Sequence, residues 1–266
     1  MSAEKPSPKS SPPKLSALVV ARNEEKDIGA CLATLAFADE IIVVLDRSTD
    51  RSAEIARGVA TRVIEGAWEI EGPRRNTGIE ACSGDWILEV DADERVSPAL
   101  AAEIRSTIAA APFGHFLIPY DNYVGNRLVR YGWGPGWGVS ATVRLFSKGA
   151  KRWGDQRIHP SVVLLGEKMR LQQTMSHYVD RDISDMLQRL DRYTTARAAD
   201  LRARGQIGSL PDNIRRCFSR FFKCYVGRKG YREKRFGFVI ALMAGLYPLL
   251  SYLKAREAEE GKGDEH

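Results

Sequence analysis

The four cysteines, Cys31, Cys82, Cys217 and Cys224, include no Cys-x-x-Cys pair. They read as ordinary thiols of a reducing compartment. The first residues, MSAEKPSPKSSPPK, lack the apolar core of a signal peptide and are rich in Pro, Ser and Lys, so residues 1–13 are expected to be a disordered leader. No internal repeat occurs, which excludes a repeat array. Acid is nearly missing between Arg215 and Arg235, where nine basic residues meet one acid, Glu233. Charge is missing altogether from Phe236 to Leu253.

What is present is a chain of 266 residues, 44% hydrophobic, with 40 Lys+Arg against 34 Asp+Glu and a net charge of +6. That is enough for one large domain, or one domain with a tail. The local excess of cations points to an anionic partner: lipid head groups, nucleic acid or phosphorylated sugars.

Apolar runs at Leu15–Val20, Glu40–Leu45, residues 61–64 and residues 85–90 predict four strands. Helical spacing at Ile28, Leu32 and Leu35 and over 52–59 falls between them, and a short helix is expected near Ile79 after a loop over 65–78. This alternation predicts a doubly wound parallel sheet, whose ligands bind beyond the carboxyl ends of the strands. The polar clusters ARNEE, DRSTD and DADE follow the first, second and fourth strands. From His115 the runs shorten (His115–Ile118, Thr142–Phe146, Ser161–Leu165, Leu171–Met175), as in a mixed or antiparallel extension. A long helix is expected over Ile183–Arg204, with Ile183, Leu187, Leu190 and Leu201 inward and Gly205 as its stop.

The segment WILEVDADERV brings Asp91, Asp93 and Glu94 to the tip of the fourth strand. One reading is a strand end followed by a helix start at Ser97-Pro98. The other is an Asp-x-Asp metal site, in which both carboxylates converge on a hard dication just past the strand.

The ordered motifs LVVARNEEKDIGACLATL, EIIVVLDRSTDRSAEIA and RRNTGIEACSGDWILEVDADERV resemble the amino-terminal half of a family-two glycosyltransferase of the GT-A fold. GWGPGWGVSATVRLF, HYVDRDISDMLQRLDRYTTARAADL and the basic-apolar tail are similar to bacterial lipopolysaccharide inner-core glycosyltransferases. The resemblance covers roughly residues 14–257 and implies a GT-A type doubly wound mixed α/β sheet with a C-terminal helical, membrane-associating extension. Its expected parts are a GT-A domain over 14–180 (nucleotide-sugar half 14–112, acceptor half 113–180), a helical and basic-amphipathic region over 181–257 and an acidic tail over 258–266.

The implied activity is transfer of a hexose from a nucleotide sugar, with UDP as carrier, to a lipid-linked saccharide such as lipopolysaccharide core, with inversion. The implied cofactor is Mg²⁺ or Mn²⁺. Asp91 approaches the ribose or the metal, Asp93 ligates the metal, and His177 completes its shell. Arg22, Asn23, Glu24, Arg75 and Asn76 contact the nucleotide or its phosphates, and Asp46 accepts from the uracil N–H. Each has a plain alternative: a helix start for Arg22–Glu24, a turn cap for Asp46, solvated charge for Arg75, a hydrogen-bonded structural residue for His177. Trp133 and Trp137 form an acceptor platform or pack under their loop.

The sequence departs from the family twice. Arg47-Ser48 follows Asp46 where the family often has a small residue and Gly, and His159-Pro160 stands where it often has His-Glu. The catalytic base is therefore assigned to Asp155, with His159 as the alternative.

The tail joins aromatics and cations to an apolar run at the lower edge of spanning length, interrupted by Pro248 and two glycines. It suits a peripheral protein on the anionic cytoplasmic face of the inner membrane. A buried core helix and a transmembrane helix are the alternatives. Polyprenyl-phosphate glycosyltransferase, nucleotidyltransferase and non-catalytic basic membrane-binding module are the competing functions. ARNEE is not the Gly-rich, Arg-bearing loop of a nucleotidyltransferase. The acidic motifs would repel a phosphate backbone, so nucleic acid is not an expected partner.

Overall fold

The computed structural model describes residues 11–133, 140–156 and 161–263. The chain runs β1 (Leu15–Ala21), α1 (Ile28–Ala33), β2 (Glu40–Asp46), α2 (Ser52–Arg57), β3 (Arg62–Gly66), α3 (Glu71–Ala81), β4 (Trp86–Val90), β5 (Glu94–Arg95) and α4 (Pro98–Ile108). It continues through β6 (Gly114–Val124), β7 (Arg127–Leu128), β8 (Ala141–Ser147), β9 (Lys151–Trp153), β10 (Val162–Leu164), β11 (Glu167–Arg170) and β12 (Met175–Asp180). Three long helices follow: α5 (Ile183–Ala203), α6 (Leu210–Phe222) and α7 (Lys234–Gly263). Two compact units result, one of residues up to Tyr120 with Ala141–His177, the other of Asp121–Ser140 with Tyr178 onward.

The first unit is organised by a mixed sheet of order β3-β2-β1-β4-β8-β6-β12-β5. Strands β1 to β4 are parallel, and β8 joins β4 antiparallel. All seven residues of β1 are buried, as expected of a parallel strand covered on both faces. Its side chains alternate between two cores. Leu15, Ala17, Val19 and Ala21 meet Ile28 and Leu32 of α1 and Leu100 and Ile104 of α4. Leu18 and Val20 face the other way, onto Ile79 of α3, Ile87 and Phe146. Helix α4 begins as the sequence predicts: the Ser97 hydroxyl accepts from the Leu100 amide at 3.1 Å and Pro98 opens the helix.

Three local expectations are corrected. Helix α3 starts at Glu71, inside the predicted loop. Pro73 is tolerated there because first-turn amides have no intrahelical acceptor to lose. Gly78 lets α3 lie close on the sheet, since a Cβ there would come within 2.5 Å of Leu18 Cδ1. The stretch Leu171–Thr174 is a turn, and the strands are β11 before it and β12 after it. On α5, Met186, Leu190, Thr194 and Ala198 are buried, while Ile183 and Leu187 are exposed. The inward stripe repeats every four residues, so the two predicted positions one step later in that repeat, Ile183 and Leu187, fall on the wet face. Gly205 follows the helix at φ 61°, the left-handed geometry of a C-terminal stop.

In the second unit the charge-free run lies within α7, which continues through Pro248. Among the described residues α7 is the one helix long and apolar enough to cross a membrane, and half of its apolar window is buried. Ile240, Ala241, Met243 and Ala244 pack with Met186 and Leu190 of α5 and with Val124 and Val129. Gly245 is a packing site: a Cβ there would stand 2.8 Å from the Cys217 carbonyl of α6.

Candidate active site

The polar clusters meet at the carboxyl ends of the parallel strands. Asn23, at φ 54°, turns the chain out of β1, and Asn tolerates that left-handed geometry. Its amide oxygen accepts from the Thr49 N–H at 2.8 Å, and the Glu24 N–H donates to the Ser52 hydroxyl at 2.9 Å. ARNEE and DRSTD are thereby knitted into one rim. Beside it lies a cavity of about 260 Å³ lined by Arg22, Glu24, Arg74, Arg75, Asp91 and Asp93. Five of these six are sequence-predicted site residues, and Arg74 is an addition.

Behind the rim is a buried charge network. Asp91 accepts from Arg75 Nη1 at 3.2 Å and from Arg144 Nη2. Arg144 Nη2 also reaches Glu94 Oε1 at 2.6 Å, and its Nε donates to the Tyr120 hydroxyl at 2.7 Å. Arg75 Nη1 donates to Glu89 at 2.6 Å, and Lys151 Nζ donates to the other Glu89 oxygen at 2.5 Å. Burial opposes the charge on Asp91, but Arg144 and Arg75 overcome it and hold the carboxyl well below the usual range. Glu94 goes the other way. Burial, with Asp91 and Asp93 nearby, outweighs Arg144 and pushes it up to about 7. A second cavity, of about 440 Å³, lies against this network, lined by Arg75, Asp91, Arg144, Lys151 and Trp153 with Val143, Val162 and Leu164.

Strand pairing brings in the histidine. β12 runs antiparallel to β5 with His177 opposite Glu94. His177 Nε2 is 3.4 Å from Asp93 Oδ2, and its ring packs against Tyr120 at 5.5 Å. Burial lowers the His177 pKa, but the Asp93 carboxylate outweighs it and the net direction is up. Asp93, Glu94 and His177 each present one donor atom within 4.8 Å of the others. Carboxylate oxygen with imidazole nitrogen is a donor set that suits Mn²⁺ or Mg²⁺, the imidazole favouring Mn²⁺. Asp91 stands beside this group with its carboxylate gripped by the two arginines.

The remaining predicted residues are scattered. Asp46 is buried, and its oxygens accept from Arg47 Nε at 2.9 Å, Arg74 Nη1 at 3.1 Å and the Trp68 amide at 3.1 Å. Burial opposes its charge, but these partners hold its carboxyl below the ordinary value. Asn76, which the resemblance places at the nucleotide, has its side chain on the backbone of β9. Its amide donates to the Trp153 carbonyl at 2.8 Å and accepts from the Trp153 amide at 3.0 Å, so it anchors β9 to α3. Asp155 is exposed on the loop after β9. Trp133 belongs to the second unit, where its Nε1 donates to the Val129 carbonyl at 2.6 Å. Trp137 and His159 lie outside the described residues.

Glu89, Arg144, Lys151 and Arg74 are the site residues that sequence reasoning missed. A signal existed for three of them. Glu89 interrupts WILEV, Arg144 interrupts ATVRLF, and Lys151 opens KRW. A charge inside a strand with both faces covered must have a partner.

Acid stability follows from this network. Burial works against ionised Glu89, but Lys151, Arg75 and Arg144 bring it down to about 2, from 4.5. Because its folded pKa is depressed, Glu89 contributes stability above about pH 4.5, lost as pH falls toward about 2. Lys151→Met removes the largest of the attractions and is expected to move that loss to higher pH. Circular-dichroism melts across this range check it; superimposable acid profiles for wild type and variant would count against the assignment.

The mixed sheet and the acidic loops at the ends of its parallel strands define a GT-A type fold. Residues 16–154, just over half of the chain, match the family model of glycosyl transferase family 2, and the chain belongs to that family. It is a glycosyltransferase. It is 24% identical over 257 residues to the lipopolysaccharide core biosynthesis glycosyltransferase LpsC of Rhizobium meliloti, a match that covers 90% of this chain and 91% of that one. An uncharacterized glycosyltransferase of Rickettsia bellii is 26% identical over 264 residues, 92% of this chain and 86% of the other. Among solved structures, mannosyl-3-phosphoglycerate synthase from Rubrobacter xylanophilus is similar over 41% of either chain, with 22% identity and a TM-score of 0.37.

Proposed function

We propose that this glycosyltransferase moves a hexose from a UDP sugar to a lipid-linked saccharide of the lipopolysaccharide-core type, with inversion and with help from a divalent metal. The observation that carries the reading is the convergence of Asp93 and His177 beside a cavity lined by Arg22, Arg74 and Arg75. Residues 14–112 serve the donor and 113–180 the acceptor. Asp93 and His177 are the metal's protein donors, with Asp91 toward the ribose or the metal. When bound, the ion offsets the negative charge that the leaving diphosphate gains as the glycosidic bond breaks.

The chain's own residues bind and orient. The three arginines attract the diphosphate, and the rim built on Asn23 and Glu24 bounds the nucleoside. Asp46 is the base-recognition residue, held in place by Arg47 and Arg74. The acceptor occupies the cavity beside Trp153 and Asp91. Asp155, or His159 in its place, takes the proton from the attacking hydroxyl. Similarity to LpsC supports the acceptor class, and an acceptor of that kind brings the enzyme to the cytoplasmic face of the inner membrane as a peripheral protein.

Release of UDP from a panel of UDP-hexoses, with truncated lipopolysaccharide core and with polyprenyl phosphate as separate acceptors, tests the reading. Core-dependent release is expected. Release that depends only on polyprenyl phosphate would reassign the acceptor, and none with any donor would overturn the proposal. Asp155→Asn is expected to cut turnover about 10²-fold with UDP affinity unchanged. An unaffected Asp155→Asn with an inactive His159→Ala would move the base to His159.

A further inference from the structure

The sequence draws attention to the charge-free run of α7, yet half of its apolar window is buried inside the second unit. A continuous exposed apolar row lies on α6, while on α7 Phe238, Leu242 and Leu253 are exposed. Leu210, Ile214, Phe218 and Phe222 recur every four residues, and Val226 continues the row through the following helical turn. All five are exposed, Phe218 by 61% and Phe222 by 58%. The opposite side of the helix is spent on packing, where Asn213 and Cys224 are buried. The row is about 24 Å long. It is extended by Phe238 of α7, itself exposed, whose ring meets Phe221 at 5.7 Å and Tyr225 at 6.0 Å.

The charge beside this row identifies what covers it. Arg215 and Lys223 are exposed, and each follows a member of the apolar row by one position, which at 100° per residue puts it on the flank of the row. The one acid of the basic block does not neutralise them. Glu233 is buried, accepting from the Arg130 and Tyr131 amides at 2.9 and 3.2 Å. A row of large apolar side chains with cations along its flank matches the boundary between acyl chains and phosphates in an anionic bilayer leaflet; the exposed acid of α6, Asp212, stands at the start of the helix and accepts from the Ser209 hydroxyl at 2.8 Å.

We propose that α6 is a membrane-docking helix: Leu210, Ile214, Phe218, Phe222 and Val226 enter the interfacial zone of an anionic leaflet while Arg215 and Lys223 engage its phosphates. This rests on the membrane-surface part of the functional reading and goes beyond it by assigning the main contact to the row on α6, with Phe238 of the charge-free run at its edge.

The test is flotation of the full-length protein with phosphatidylglycerol–phosphatidylethanolamine vesicles and with phosphatidylcholine vesicles. Wild type is expected to bind the anionic vesicles and to bind less as salt rises. Phe218→Glu/Phe222→Glu is expected to weaken that binding about 10²-fold or more. Phe218→Leu should retain it. Replacing Arg215 or Lys223 by Gln should cost about fivefold each. Unchanged UDP binding and circular dichroism establish that the variants are folded.

If wild type ignores anionic vesicles, the membrane-surface reading itself falls. If wild type and the double variant float equally, that reading survives and the α6 assignment is overturned. Equal binding to phosphatidylcholine overturns the role of the cations. If wild type sediments as a dimer without vesicles and the double variant as a monomer, the row is an interface between copies of this chain and the proposal is wrong.

Discussion

Asp93→Asn is expected to abolish the metal dependence of UDP binding and to cut turnover by about 10²–10³-fold, the cost of removing one fixed charge stabiliser from an acyl- or glycosyl-transfer site. Asp93 is the acid nearest His177, at 3.4 Å, and it lines the donor cavity with Arg22 and Arg75. Asparagine keeps the size of the side chain but loses the anionic oxygen that a hard dication requires. Stability should change little, because Asp93 is partly exposed. UDP titrations with Mn²⁺ and with chelator, together with UDP release from UDP-hexoses, give both readouts. Retained turnover in Asp93→Asn would remove this residue from the metal site.

Arg144→Met is expected to destabilise the first unit by about 3–5 kcal/mol, the cost of leaving a buried charge without its partner. Arg144 sits between Asp91 and Glu94. Without it two carboxylates share the pocket, and Glu94, already pushed up to about 7, must take a proton. The double substitution Arg144→Met/Glu94→Gln removes that conflict and should recover part of the loss, a coupling that a double-mutant cycle measures. Urea unfolding checks both. A single variant as stable as wild type would mean that the network is dispensable.

How much of this was legible in the sequence depends on what each residue does. Strands β1, β2 and β4 were readable because parallel strands covered on both faces are nearly unbroken apolar runs, and each ends in a polar cluster at the site. The start of α3 was hidden because Gly72, Pro73 and Gly78 imitate a loop, although Gly78 serves the approach of helix to sheet. Arg75 lines the cavity and bonds Asp91, while its neighbour Asn76 bonds the backbone of Trp153. Nothing local distinguishes the two. The Glu89–Lys151 pair joins residues 62 apart, one on β4 and one on β9, and a single charge in a strand names no partner until the tertiary packing is known. His177 met Asp93 through the register of β12 on β5, a two-residue strand that no periodicity marks. The apolar run of α7 drew attention by its length, while the exposed row on α6 is spaced by four and is diluted by its cations.

Calorimetric titration of UDP into the wild-type protein, once with Mn²⁺ and once with chelator, tests the central claim most directly. The arrangement of Asp93 and His177 beside three cavity arginines predicts binding at least about 10-fold tighter with the metal, the low end for a site that depends on its ligand shell. Equal affinity in the two titrations, or no binding in either, would contradict a metal-assisted UDP-sugar site.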